Sequence, residues 1–224
     1  MFVKKATAIR KLISHVQPQS QVAEQYRNIR TNIQFTAIES EMHSIVVTSS
    51  NAGEGKTTTT ANLAVVFGQQ GKKVLLIGAD MRKPALEQLF QTKSVLGVTN
   101  VLSGQASFKQ CVQETYIPNV SFIPSGPIPP NPAELLSCGK MKELIEQGYA
   151  EYDLILIDTP PVLAVTDAQI VANLCDGIIL VVRSEVTEKD KVVKAKQLLD
   201  KTTGKLLGVV LNDKKQVDTK YGYY

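Results

Sequence analysis

The chain has 224 residues, with 25 Lys plus Arg against 21 Asp plus Glu and a formal charge of +4. That length suits one domain with tails, and so mild a charge does not by itself imply nucleic acid. At 43% hydrophobic and 21% charged residues, disorder and collagen-like repeats are excluded as descriptions of the whole chain. Three scattered cysteines (Cys111, Cys138, Cys175) and two histidines (His15, His43) write neither a disulfide framework nor a zinc site. A reducing, cytosolic compartment is expected.

In chain order, residues 1–20 read as a polar N-terminal extension. They are basic and partly apolar, without the long apolar region and cleavage site of a signal peptide. No apolar run in the chain approaches the ~18 residues of a membrane-crossing helix. Glu24, Arg27 and Arg30 then recur at three-residue spacing, which sets them along one side of a helix. On spacing alone that is a solvated charged face.

Six short aliphatic runs follow, at 45–47, 74–77, 120–123, 154–157, 178–182 and 207–211. Most are continuously apolar, as expected of strands buried on both faces of a parallel sheet. Helices are predicted between them. One covers 57–68, with Gly68 and Gly71 as its stop. Another covers 189–201, with Val192, Val193, Ala195, Leu198 and Leu199 broadly on one face. Between these, the Pro-rich segment 124–130 leads into a helix start. Asn131 suits the N-cap, Pro132 the first helical position and Glu134 the third, as in a capping box. The alternation predicts an α/β fold: a P-loop NTPase with a mostly parallel, doubly wound sheet flanked by helices. The domain is drawn over 21–212. Residues 213–224 form a C-terminal tail holding Tyr221, Tyr223 and Tyr224.

The phosphate-binding pattern lies between the first strand and the first long helix, where Ala52-Gly53-Glu54-Gly55-Lys56-Thr57-Thr58 follows an apolar run. Glycines let consecutive backbone N–H groups wrap an anion, and the following helix N-terminus adds partial positive charge. Lys56, expected on an exposed loop, reaches the β- and γ-phosphates, and Thr57 holds Mg²⁺. Ser50 stands where the strict motif has its first glycine. Two carboxylates end strands suitably for the same metal: Asp158 directly after the run at 154–157, and Asp80 just beyond the run at 74–77. Alone, either could simply cap a turn.

Taken together, 53–57, 79–84 (Ala-Asp-Met-Arg-Lys-Pro), 125–136, 158–161 (Asp-Thr-Pro-Pro), 166–169 and 211–212 resemble the bacterial tyrosine kinase (BY-kinase) family. The likeness is to its cytoplasmic kinases of capsule and exopolysaccharide synthesis, and it covers most of the chain through the tyrosine-rich tail. It implies an ATP- and Mg²⁺-dependent protein-tyrosine autokinase in which Lys56, Asp80 and Asp158 are catalytic. It further implies that Asn212 reads adenine and that Tyr221, Tyr223 and Tyr224 accept phosphate. Glu24, Arg27 and Arg30 become subunit contacts in a homo-oligomeric ring. The implied partners are a transmembrane activator of polysaccharide co-polymerase type, which recruits the cytoplasmic kinase to the inner face of the membrane, and a cognate tyrosine phosphatase. No direct nucleic-acid contact is implied.

Two positions depart from related patterns. Partition-type P-loop ATPases resemble this chain but usually carry a lysine early in the loop, where Asn51 stands here. The kinase family usually has Asp where this chain has Gly78. A positioned base contributes ~10²–10⁴-fold, so the alternatives to an active kinase are a partition-type ATPase and a nucleotide-holding scaffold.

Overall fold

The strands at the centre of the molecule show no polar alternation, because helices cover both of their faces. Every residue of β1 (Ser44–Ser49), β2 (Val74–Gly78) and β5 (Leu154–Asp158) is buried. The structure is a computed structural model that describes residues 12–36, 42–92 and 95–214. Two helices precede β1: α1 (Ile13–Val16) and α2 (Gln21–Thr36). The long helix α3 (Lys56–Gly68) joins β1 to β2, and α4 (Leu86–Phe90), α5 (Val98–Leu102) and α6 (Phe108–Cys111) follow. Then come β3 (Gln113–Glu114), β4 (Val120–Ile123), α7 (Pro132–Ser137), α8 (Gly139–Tyr149) and β5. The chain continues through α9 (Asp167–Ala172), β6 (Gly177–Arg183), α10 (Lys189–Leu199) and β7 (Lys205–Asn212).

The seven strands lie in the order β3-β4-β2-β5-β1-β6-β7. All pairs are parallel except β3 with β4, so the fold is the predicted doubly wound α/β sheet. The two-residue β3 escapes the sequence because it is too short to carry a period. Successive side chains take opposite faces of the sheet. Ile45, Val47, Leu76, Leu156 and Val181 therefore pack under α2, α3 and α4, whereas Val46, Leu75, Ile155, Ile157 and Leu180 pack under α5 to α10.

Three local expectations change. The extension drawn over residues 1–20 is, from Leu12 onward, part of the packed body. Leu12 is 2% exposed, the Ser14 amide donates to Asn62 Oδ1 at 2.9 Å, and Gln69 Nε2 donates to the Ser14 carbonyl at 2.9 Å. A single buried leucine gives no periodicity to read. Helix α7 starts at Pro132 as predicted, but Asn131 makes no side-chain cap. Its Nδ2 donates instead to Glu134 Oε2 at 2.9 Å. In α10 only Ala195 and Leu199 are buried, while Val193 points to solvent.

Candidate functional site

The site assembles at the carboxyl ends of the central strands, where parallel α/β sheets bind ligands. Register makes this possible: Val47 and Gly78 both lie opposite Asp158, so β2 and β5 end level while β1 runs on to Ser49 before the loop. From β1 the chain turns through residues 50–55 into α3. Gly53 and Gly55 adopt φ of 82° and 93°, the left-handed region open to glycine. A side chain on Gly53 would meet nothing within 4 Å, whereas one on Gly55 would collide with the Asn212 amide. The turn thus leaves an open cradle on one side and a close packing contact on the other.

Beside it lies a cleft of about 780 Å³, lined by Ala52, Gly53, Gly55, Lys56, Thr57 and Thr58 from the loop and helix start. Asp80 and Asn212 line it too. Lys56 does not sit on an exposed loop. It is the first residue of α3, 8% exposed, with its Nζ 2.7 Å from Asp80 Oδ2 and 3.4 Å from Asp158 Oδ1. Burial pushes the Asp158 carboxyl up, and neighbouring Asp80 adds to that. The Lys56 charge and the Thr57 hydroxyl work against it. Asp80 is fixed from its other oxygen, which accepts the Lys83 amide at 3.0 Å.

Two carboxylates converge on one ammonium, and burial disfavours the charged form of Asp158. The converging oxygens of Asp80 and Asp158, with the Thr57 hydroxyl, are hard donors of the kind Mg²⁺ takes. Among the described residues no three His, Cys, Asp or Glu side chains gather as a metal cluster. A cation here would complete its shell from water and from phosphate oxygens.

Other sequence-predicted residues behave differently from one another. The Glu54 side chain turns away from the cleft and is buried at 3% exposure. Asn212 ends β7 beside the loop, with its Nδ2 donating to the Glu54 carbonyl at 3.0 Å. Glu24 and Arg27 pair on the surface of α2, with Arg27 Nε 2.8 Å from Glu24 Oε2 and Nη2 donating to the Pro18 carbonyl. Arg30 does not share their solvent face: its Nη1 donates to the Val66 carbonyl of α3 at 2.8 Å. Tyr221, Tyr223 and Tyr224 lie outside the described residues. At Gly78 a Cβ would stand 3.0 Å from Ser125 Oγ and 3.1 Å from the Ser125 amide, tight but without a positive φ.

Residues not singled out from sequence also reach the cleft. Arg82 is held as a fork by Asp167, Nε to Oδ2 at 2.9 Å and Nη2 to Oδ1 at 3.0 Å, with Asp167 fully buried. Lys83 lines the same wall. Arg183, the last residue of β6, lines it too. A charged residue closing an apolar strand is the signal that marked Asp158, and it was equally available for Arg183.

Comparison with known proteins gives a consistent result. The profile of the AAA domain family matches residues 42–203. The tyrosine-protein kinase YwqD of Bacillus subtilis is 50% identical over 216 residues, covering 96% of this chain and 91% of that protein. The chimerical protein CapA2B2 superposes with a TM-score of 0.88 at 41% identity, covering 92% of this chain and 90% of that one. The kinase domain of the Escherichia coli tyrosine kinase ETK gives 0.87 at 31% identity, covering 95% and 84%.

Proposed function

This chain belongs to the bacterial tyrosine-protein kinases, and we propose that it moves the γ-phosphoryl group of ATP onto tyrosine hydroxyls of its own C-terminal tail. The observation that carries this reading is the Lys56 ammonium, held 2.7 Å from Asp80 and 3.4 Å from Asp158 at the floor of the glycine-turn cleft. Phosphoryl transfer asks little covalent chemistry of a protein and much positioning and charge stabilisation. The loop amides from Ala52 to Thr58 orient the polyphosphate. Lys56, released from its carboxylates, follows the negative charge to the β- and γ-phosphates. Asn212, at the end of β7 beside the loop, reads the adenine.

Thr57, Asp80 and Asp158 would hold Mg²⁺, whose chemistry when bound is to neutralise charge on the polyphosphate. Asp80 is the carboxylate nearer solvent, with a side chain 8% exposed against 2% for Asp158. In the absence of a carboxylate at position 78, it is the group left to receive the tyrosine proton.

The tail suits the acceptor role because an acceptor has to enter an active site. Nine residues from Asn212 to Tyr221 span at most ~30 Å, enough for Tyr221, Tyr223 or Tyr224 to reach a neighbouring subunit. Ring assembly through Glu24 and Arg27 puts such a neighbour within reach. Several phosphates on adjacent tails, each about −1.5 to −2 in charge, repel one another and open the ring. Among the described residues no helix is long and apolar enough to cross a membrane. A transmembrane activator of the capsule or exopolysaccharide machinery recruits the kinase, and a tyrosine phosphatase resets it.

The test is incubation of the pure protein with γ-labelled ATP-Mg²⁺ and an activator segment. Label on tyrosine that is lost when Tyr221, Tyr223 and Tyr224 become Phe supports the reading. Free phosphate alone marks an ATPase, and neither product marks a nucleotide-holding scaffold.

A further inference from the structure

One carboxylate of the phosphate loop takes no part in the cleft. Glu54 Oε1 accepts from Thr187 Oγ1 at 2.6 Å and from Asn51 Nδ2 at 3.1 Å, while its buried Oε2 has no partner among the described residues. A buried carboxylate with so few donors opposes folding, so packing alone does not account for it.

Its partner is equally specific. The Thr187 hydroxyl has one proton and gives it to Glu54, while its oxygen accepts the Arg183 amide at 3.1 Å. Arg183 clasps Asp213 Oδ2 through Nε at 2.9 Å and Nη2 at 2.7 Å. The Ser184 amide donates to the Asn212 carbonyl at 2.8 Å, and Asn212 Nδ2 returns to the Glu54 carbonyl. The circuit leaves Glu54 by its side chain and comes back to its backbone. On the way it crosses the ends of β6 and β7, whose last residues, Arg183 and Asn212, lie opposite each other in register.

Glu54 is also the residue between Gly53 and Gly55. Those two glycines give the loop its anion-wrapping shape, and they make it the segment with most backbone freedom to lose. Converging amides repel one another in the absence of an anion, so the shape needs an outside hold. The one side chain between the glycines points away from the cleft and into an anchor on β6 and β7.

We propose that Glu54 and Thr187 are positioning residues, a latch that keeps the loop amides of residues 52–55 in their phosphate-accepting arrangement and ties the loop to Arg183 and Asn212 at the ends of β6 and β7. This rests on the nucleotide-binding reading of that cleft. A latch of this kind acts on the affinity for ATP-Mg²⁺ through the shape of the loop. It depends on the hydroxyl, not on the shape of residue 187.

The experiment is titration of the full chain with a fluorescent ATP analogue and Mg²⁺, alongside thermal melting, for Thr187→Val, Thr187→Ser, Glu54→Ala and Thr187→Val/Glu54→Ala. Losing the hydrogen bond to a buried charge should weaken binding about tenfold in Thr187→Val and in Glu54→Ala. Thr187→Ser should stay within about twofold of the parent, and the double variant should be no weaker than the worse single one, as coupled partners behave. Unchanged affinity in folded Thr187→Val overturns the latch. So do equal losses in Thr187→Val and Thr187→Ser, or losses that multiply in the double variant. Should Thr187→Val not fold, Glu54→Ala with parental affinity overturns it alone. A parent that binds no nucleotide removes the cleft reading and the latch together, which the other outcomes do not.

Discussion

The centre of the sheet and its β7 flank are written in the same aliphatic alphabet and end in the same way, an apolar run closed by one polar residue. β5 closes with Asp158 and all of it is buried; β7 closes with Asn212, and Val209 and Leu211 are about half exposed. The difference is coverage. β5 lies between β2 and β1 with helices on both faces, whereas β7 is an edge strand that packs beside α2 through Leu207 and Val210 and reaches the opposite cluster at Leu206. Hydrophobic sequence therefore marks a strand but does not say how firmly it is held. Here the firm part holds Asp80 and Asp158 around Lys56, and the loosely covered part holds Asn212 and the surface beside α2.

The comparison is most severely tested at Lys56. Lys56→Met should reduce phosphotyrosine formation by at least ~10²–10³-fold, the scale of losing one preorganised charge contact. Stability should fall as well, because Lys56 balances two buried carboxylates. Removing one partner of a buried pair costs up to about 3–5 kcal/mol, and Asp158, already pushed up by burial, reduces this by taking a proton. A labelled-ATP assay and a urea melt check both halves. A variant that phosphorylates at the parental rate would detach the chemistry from the centre.

Next in size is the contrast in packing itself. Leu76→Ala, at a fully buried position on β2, should cost about 2–5 kcal/mol. Val209→Thr, 52% exposed on β7, should stay within about 0.5 kcal/mol. Equal losses on denaturation would mean that the flank is core after all, covered by something the single chain does not supply.

Gly78→Asp sharpens the centre. The new carboxylate should raise turnover about tenfold, short of the ~10²–10⁴-fold of a freely placed base. It falls short because its Cβ comes within 3.0 Å of Ser125 Oγ. Adding Ser125→Ala removes that oxygen and should enlarge the gain. If a folded Gly78→Asp protein turns over no faster, Asp80 already fills the role.

The smallest effect on the subunit belongs to Glu24→Ala/Arg27→Ala. Exposed pairs contribute ~0–1 kcal/mol to folding, so the melt should scarcely move, while light scattering should show the assembly falling apart. Arg30→Ala is expected to be more costly to the monomer, since Arg30 fastens α2 to the Val66 carbonyl. An unchanged mass for the double variant rejects the interface.

The sequence by itself determined the strand, glycine turn and helix of residues 44–68, because glycine spacing, a following lysine and a helix start are local facts of the backbone. It determined the six longer strands for the same reason, since continuous apolar runs are visible without partners. It marked Asp80 and Asp158 as carboxylates at strand ends, though it could not say that they meet on Lys56. That needed strands 74–78 and 154–158 to lie side by side in level register. Tertiary structure alone decided that Lys56 is buried and that Leu12 is core. It also split Glu24, Arg27 and Arg30 into an exposed pair and an anchor, and it joined Glu54 to Thr187, 133 positions away. Each of these is a contact between distant segments, and such contacts are fixed by packing across the sheet and leave no period in the chain.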